Sequence, residues 1–270
     1  MVEYDVDFIA QLRSKTPDAV FHIMQGKHHG DGAAQAILEL LGIPYTGSRP
    51  HAAAIINHKT LCKKIWLADG IRTPEFFELN HEEYKTEGFA GFLQKVEKSG
   101  LRLPIVVKAP TQGGRFGIVF VKDEESFGGI DVPFQYDDTL LCERYVEGKF
   151  ITQGILELDG EMTVLPPVEV IDNTGDEFKF YNYGTVTATP DLTPEQLAEI
   201  GQTTLRASKL VGASGFGRLD YHLSGGELYP LEINATPGLQ PVLSDITQCS
   251  AAAGCSYDEF IGMILATAKK

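Results

Sequence analysis

The sequence predicts a mixed chain, α/β in its first part and α+β beyond it, built as two or three compact lobes. Three observations carry that prediction. The chain has 270 residues, where one domain takes about 150. An early strand–loop–helix order reads as a fragment of an α/β unit, and from Pro104 onward apolar runs return across Gly-rich turns, as antiparallel strands do. The apolar share of 43% and the charged share of 22% are those of an ordinary folded chain, which excludes disordered, collagen-like and coiled-coil classes.

Residues 1–19 hold one amphipathic helix with Phe8, Ile9 and Leu12 on its apolar face. Val20-Phe21-His22-Ile23-Met24 reads as a short strand, and a polar Gly-rich turn runs from Gln25 to Gly32. Ala33 to Leu41 is the next helix, stopped by Gly42 with Pro44 just beyond. Asn57 can cap a helix from His58 to Asp69, closed by Gly70. Asn80 opens another, with Glu83 completing a capping box. Pro104 to Lys108 is a dense apolar strand ending in a lysine. Gln112 to Gly117 is a Gly-rich turn and Phe116 to Val121 the return strand. Thr139 to Val146 and Phe150 to Leu156 read as two strands around Glu147-Gly148, and Met162 to Ile171 continues the strand pattern. Thr193-Pro194-Glu195-Gln196 starts a helix: Thr caps, Pro suits the first position and Gln completes the box. Leu197, Ile200, Leu205 and Leu210 supply its buried face, and Gly212 stops it. Gly217 to Leu223 and Leu228 to Asn234 form a hairpin around Ser224-Gly225-Gly226. Ser256 to Glu259 is a further capping box, opening the last helix.

A formal net charge of −14 and a pI near 4.9 make nucleic acid and anionic membrane surfaces poor partners. A bound polyanion such as a nucleotide would need local Lys, Arg or a metal to reverse the field. Cys62, Cys142, Cys249 and Cys255 include no CxxC pair, so they read as reduced thiols used mostly in packing. No apolar run approaches the roughly 20 residues of a membrane span. The opening Met1-Val2-Glu3-Tyr4-Asp5 lacks the basic and apolar regions of a signal peptide, so a cytoplasmic protein is expected.

Arg218-Leu219-Asp220 and Leu231-Glu232-Ile233-Asn234 form the sharpest chemical pattern. Side chains alternate along a strand, so Arg218 and Asp220 share one face, and Glu232 and Asn234 share one. Leu219, Tyr221, Leu231 and Ile233 fill the other. With a three-residue connection or a bulge, the two polar faces coincide. Two carboxylates, an amide oxygen and a guanidinium would then converge, an arrangement that calls for a cation, and all-oxygen ligands fit Mg²⁺ or Mn²⁺. The alternative is a solvated hairpin face with scattered charges. Ile105-Val106-Val107-Lys108 followed by Gln112-Gly113-Gly114-Arg115-Phe116-Gly117 places one cation at a cleft mouth beside glycines whose N–H groups can close over phosphate; the alternative is a plain hairpin. Leu140 to Val146 is an apolar strand ending in an exposed acid, Glu143, of a kind that presents backbone polar groups to an adenine edge. Lys59, near a helix start, reads alone as a solvated residue. His28 and His29 are adjacent and point apart, and His22 and His222 read as packed in strands.

In combination, these parts resemble the ATP-grasp superfamily, and within it the D-alanine–D-alanine ligase family. Gly30-Asp31-Gly32-Ala33-Ala34-Gln35, Leu40 to Ser48, Gly215 to Asp220 and Leu231 to Leu239 support the closer likeness, which runs from about Phe8 to Ala268. The resemblance implies a fold of two α+β lobes clasping ATP, preceded by a truncated Rossmann-like N-terminal lobe. The expected divisions are residues 1–58, 59–148 with the Gly-rich flap, and 149–270 with the metal-binding hairpin. It implies that Lys59 and Lys108 bind ATP phosphates, with Gly113, Gly114 and Gly117 in the mobile loop over them. Glu143, Tyr145 and Val146 fall on the adenine-binding segment. Asp220, Glu232 and Asn234 fall on the magnesium ligands, Arg218 on the arginine that stabilises the oxyanion, and Gly238 and Leu239 on the substrate segment.

The activity so implied is ATP-dependent ligation of a carboxylate to an amine through an acyl phosphate, with Mg²⁺ or Mn²⁺ and small-molecule substrates. Departures from the family pattern are expected to matter. The chain opens after the family's first Gly-rich turn. Gly114 stands for a serine, Phe150 for the ribose-binding acid and Leu243 for the serine that receives the second substrate's carboxylate, and the tyrosine-bearing loop is reduced to Phe180–Gly184. Three readings therefore stand beside D-alanine ligation: another amino-acid or carboxylate substrate, an ATP-binding protein without ligase activity, and a dimer mate or second subunit that completes the first lobe.

Overall fold

Apolar strand patterns from Phe76 onward produce two sheets in which every described ladder is antiparallel. The structure, a computed structural model, describes residues 7–26, 30–113, 117–171 and 186–269. Four strands make the smaller sheet, β1 (Phe76–Asn80), β2 (Ile105–Lys108), β3 (Ile118–Val121) and β4 (Thr139–Arg144), in the order β1-β4-β2-β3. The larger contains β5 (Lys149–Leu158), β6 (Glu161–Val164), β7 (Val168–Ile171), β8 (Val186–Ala188), β9 (Phe216–Ser224) and β10 (Glu227–Asn234). It runs β10-β9-β5-β7-β8, with β6 also paired to β5. The helices are α1 (Phe8–Lys15), α2 (Ala33–Leu41), α3 (Pro50–Asn57), α4 (Lys59–Ala68), α5 (His81–Lys98), α6 (Glu124–Phe127), α7 (Pro194–Leu210), α8 (Asp245–Ala252) and α9 (Tyr257–Ala266).

Each sheet buries one face on helices. In the smaller sheet Ile105, Val107, Leu140 and Cys142 pack with Phe92 and Val96 of α5 and Phe127 of α6. Period-two alternation turns Val106, Lys108, Leu141 and Glu143 the other way. The larger sheet sets Ile151, Ile155, Leu219, Tyr221 and Ile233 against α3, α4 and α7. Trp66 is fully buried there and donates from Nε1 to the Ala207 carbonyl at 3.2 Å, joining α4 to α7. One end of the opposite face is closed by Ile246, Phe260 and Ile264 over Leu156 and Phe216. Gly154 lies under this cover, where a Cβ would come within 2.8 Å of Leu165 and 3.2 Å of Ile246.

The capping boxes at Asn80/Glu83, Thr193/Gln196 and Ser256/Glu259 are all present, and all four cysteines are free, with Cys62, Cys142 and Cys249 buried. Several expectations need correction. Val20–Met24 forms no strand; its one bridge, Val20 to Tyr45, is parallel. The ladder stops because the Thr46 hydroxyl takes the His22 N–H at 2.9 Å and Gly47, at φ +94, turns the chain away. His22 is therefore buried outside any strand. Asn57 ends α3, a helix not anticipated, and His58 caps α4 by accepting from the Leu61 N–H. Thr139–Arg144 and Lys149–Leu158 are not a hairpin: residues 145–148 carry the chain from the small sheet to the large one. Met162–Ile171 divides into β6 and β7 across Pro166-Pro167, because proline lacks the N–H a ladder needs. On α7, Leu197 and Leu205 are exposed while Ile200, Thr204, Ala207 and Ser208 are buried, since small residues and a hydroxyl bonded to Gln153 and Tyr221 let the helix lie close to the sheet. His28, His29, Gly114 and Phe180–Gly184 lie outside the described residues. No helix among the described residues is long and apolar enough to cross a membrane.

Candidate active site

A two-residue turn, Gly225 at φ +58 and Gly226 at φ +86, closes the β9–β10 hairpin. Both conformations suit glycine, as in the tight turns that match strand twist. From this turn the register runs Ser224–Glu227 to Tyr221–Pro230 and then shifts by one residue at Leu231. Continued without the shift, it would set Asp220 against Leu231 and Arg218 against Ile233. The bulge instead pairs Asp220 with Glu232 and Arg218 with Asn234. All four polar side chains thus share the face that α8 and α9 leave open. Leu231, expected in the core, is the half-buried bulge residue.

Asp220 is the centre of this group. Its Oδ1 accepts from Thr152 Oγ1 at 2.7 Å and Arg218 Nε at 2.8 Å; its Oδ2 accepts from Arg218 Nη2 and Asn234 Nδ2, both at 3.0 Å. Arg218 Nη1 also reaches Asp245 Oδ2 at 2.8 Å. Arg218 is thereby held in one orientation by two carboxylates. Burial and the neighbouring Glu232 raise the Asp220 pKa against the pull of Arg218. Burial drives Asp245 up to about 6. Asp220, Asp245 and Glu232 outnumber Arg218 and Lys59 here, a surplus of negative charge that a hard divalent cation would relieve. Among the described residues no three His, Cys, Asp or Glu side chains form a metal-holding group. The protein's own donors here are two carboxylates and the Asn234 amide oxygen, an all-oxygen set that fits Mg²⁺ or Mn²⁺ with phosphate oxygens completing the shell.

Facing this hairpin is the polar side of the small sheet. Lys108 and Glu143 form a buried ion pair. Glu143, expected to be exposed, is only 2% exposed, because β4 is a central strand and the cleft face it enters is lined by lysines. Its Oε2 lies 3.0 Å from Lys63 Nζ. Burial alone would raise the Glu143 pKa, but Lys108 and Lys63 together lower it to about 2. Burial lowers the Lys108 pKa, and the carboxylates of Glu143 and Glu232 more than reverse this. From α4, Lys59 Nζ lies 3.2 Å from Glu232 Oε2 and donates to the Gln112 carbonyl at the root of the Gly-rich turn. Lys59, Lys108 and Glu232 are therefore neighbours, and burial is outweighed at Glu232 by both lysines, which lower its pKa.

The remaining expected residues fall around this cleft. Gly117 (φ +71) closes the β2–β3 turn, donor to it the Ala109 N–H at 3.2 Å; a Cβ there would meet Ala109, Pro133 and Tyr136 at 3.3 Å. Gly113 borders the same turn with open space around it. Tyr145 packs edge-on against Phe120 at 5.7 Å, and Val146 is buried beside it in the inter-sheet crossing. Phe150 sits edge-on to His222 at 5.6 Å on the site face. Burial and Lys108 lower the His222 pKa to about 4, so this imidazole is neutral at physiological pH. Gly238 and Leu239 lie in the loop after β10, where Tyr257 OH donates to the Leu239 carbonyl at 3.0 Å. Leu243 is 61% exposed, while the Ser244 hydroxyl accepts the Gln240 N–H at 2.8 Å within that loop.

Sequence reasoning missed Lys63, Thr152 and Asp245. Lys63 had a signal: it stands four residues after Lys59, so both lysines share a helix face. Thr152 lies opposite Asp220 across β5 and β9, a pairing no local pattern reveals.

The family described as "D-ala D-ala ligase C-terminus" matches residues 65–266. The D-alanine–D-alanine ligase of Moorella thermoacetica is 34% identical over 277 residues, 98% of this chain and 86% of that protein. That of Desulforudis audaxviator is 34% identical across all of this chain and 87% of its own length. The crystal structure of D-alanine–D-alanine ligase from Bacillus anthracis complexed with ATP is similar at 27% identity and a TM-score of 0.79, over 97% of this chain and 83% of that one. The corresponding ligase from Coxiella burnetii is 26% identical with a TM-score of 0.80 over 93% of this chain and 67% of that one.

Proposed function

The chain belongs to the D-alanine–D-alanine ligase family, with an ATP-grasp fold, and we propose that its two facing sheets join a carboxylate to an amine at the expense of ATP. It is an ATP-dependent ligase of carbon–nitrogen bonds. A substrate carboxylate attacks the γ-phosphate, giving an acyl phosphate and ADP. The amine then adds to the acyl carbon, and phosphate leaves as the amide forms.

In this reading Lys59 and Lys108 bind the triphosphate, and the backbone at Gly113 and Gly117 borders it. Tyr145 and Val146 border the adenine, with Glu143 acting through its hold on Lys108. Asp220, Glu232 and Asn234 would hold the Mg²⁺ or Mn²⁺, which when bound supplies charge neutralisation at the phosphates. Arg218, locked between Asp220 and Asp245, is pre-oriented for the oxyanion that develops as the amine adds, so little reorganisation is needed at that step. Exclusion of water from this cleft during the reaction would protect the acyl phosphate from hydrolysis. The observation that supports the reading most strongly is the Leu231 bulge, which brings Asp220 and Glu232 together opposite Lys59 and Lys108.

D-Alanine is the first substrate to try on both sides of the bond. An exposed Leu243 and a Ser244 hydroxyl already engaged by Gln240 favour a different amine acceptor as the second reading. Measuring ADP release across D- and L-amino acids, singly and in pairs, tests both. ADP formed only with D-alanine supports the first; ADP formed only with another acceptor supports the second. A chain that releases no ADP with any pair and binds no Mg-ATP would refute the assignment of this cleft.

A further inference from the structure

Lys63 is 1% exposed, has no part in the steps above, and lies where the two sheets meet. We infer that Lys63 is a positioning residue for the nucleotide: it offsets Glu143 so that the charge of Lys108 is left for the triphosphate, and through Thr73 it ties that group to the bulge presenting Glu232. This role presupposes the ATP-dependent reaction proposed above.

The connections are direct. Lys63 Nζ is 3.0 Å from Glu143 Oε2, while Lys108 occupies the other oxygen, Oε1. Burial lowers the Lys63 pKa and the adjoining Glu143 works against this; with both lysines protonated, one carboxylate lies between two ammonium groups and the cluster carries a net positive charge. With Lys63 absent, Glu143 and Lys108 would be a neutral pair offering a phosphate little attraction. With it, one positive charge remains at low effective dielectric, where its pull on an anion is strong. Lys63 also donates to Thr73 Oγ1 at 2.6 Å, and that hydroxyl donates to the Pro230 carbonyl at 2.8 Å. Pro230 is the last residue in register before the bulge. Lys59, one turn earlier on α4, reaches Glu232 itself. Two lysines on one helix face therefore brace the two halves of the cleft, Lys59 on the hairpin carboxylate and Lys63 on the strand carboxylate.

A side chain that merely fills space would be replaced well by a hydrophobic residue of similar volume, which separates the two roles. In calorimetric titrations of the full chain with Mg-ATP, Lys63→Met should weaken binding by at least about tenfold. In the Glu143→Gln background the same Lys63→Met change should cost less than about twofold, because no carboxylate is left for Lys63 to offset. Thr73→Val keeps both charges; it should leave ATP affinity within about twofold and raise the Mg²⁺ concentration for half-maximal turnover about fivefold. Undiminished affinity in Lys63→Met, or an equal loss from Lys63→Met in the Glu143→Gln background, would overturn the role. If Lys63→Met does not fold, Lys63→Gln replaces it with the same two outcomes. A parent chain that binds no Mg-ATP would instead refute the ligase reading, so the two failures are distinct.

Discussion

Glu143 and Asp220 are each 2% exposed, each at the inner face of an antiparallel sheet, yet their protons behave oppositely. Glu143 is driven down to about 2 and Asp220 is raised. Burial acts the same way on both; the neighbours differ. Around Glu143 stand two lysines, Lys63 and Lys108. Around Asp220 stand one arginine and two further carboxylates, Glu232 and Asp245. One side of the cleft therefore carries surplus positive charge and the other surplus negative charge. A triphosphate with a bound divalent cation is complementary to both, its oxygens to the first and its metal to the second.

The largest effect should come from breaking the first group. Glu143→Gln leaves two buried lysines without their carboxylate and should cost about 3–5 kcal/mol at neutral pH, read from denaturant unfolding. Because the folded pKa of about 2 lies below the ordinary 4.5, the parent's advantage is full above 4.5 and fades as the pH falls toward 2. A deficit that stays constant through that window would contradict the assigned proton affinity.

Asp245 should show the opposite sign. Its folded pKa of about 6 exceeds the ordinary 3.8, so the parent loses stability as pH rises through that interval. The stability of Asp245→Asn relative to the parent should then improve by on the order of 3 kcal/mol between those limits. Paired melts at several pH values read this directly, and an improvement on acidification instead would reverse the contrast between the two groups.

Two substitutions sharpen the contrast in function. Lys108→Ala should reduce turnover about a hundredfold while the chain remains folded, since Glu143 keeps Lys63; global unfolding in a melt would make this lysine structural. Glu232→Gln should weaken Mg-dependent nucleotide binding by about tenfold, and binding that is unchanged would place the cation elsewhere.

Much of this arrangement is written locally. The helix starts at Asn80, Thr193 and Ser256 follow from side chains that satisfy their own backbone N–H groups, and the Gly225-Gly226 turn follows from a backbone conformation that favours glycine. Strand alternation fixes Arg218 with Asp220, and Glu232 with Asn234, on common faces. These features depend on residues within a few positions of one another, so one strand or turn suffices to read them. Whether the two polar faces meet depends on a one-residue shift at Leu231, which arises only from pairing β10 to β9. Likewise the burial of Glu143 beneath two lysines, and of Asp245 beside Arg218, comes from packing α4 and α8 onto sheets far away in sequence. Electrostatics at such sites is a sum over neighbours in space, and no local pattern names those neighbours.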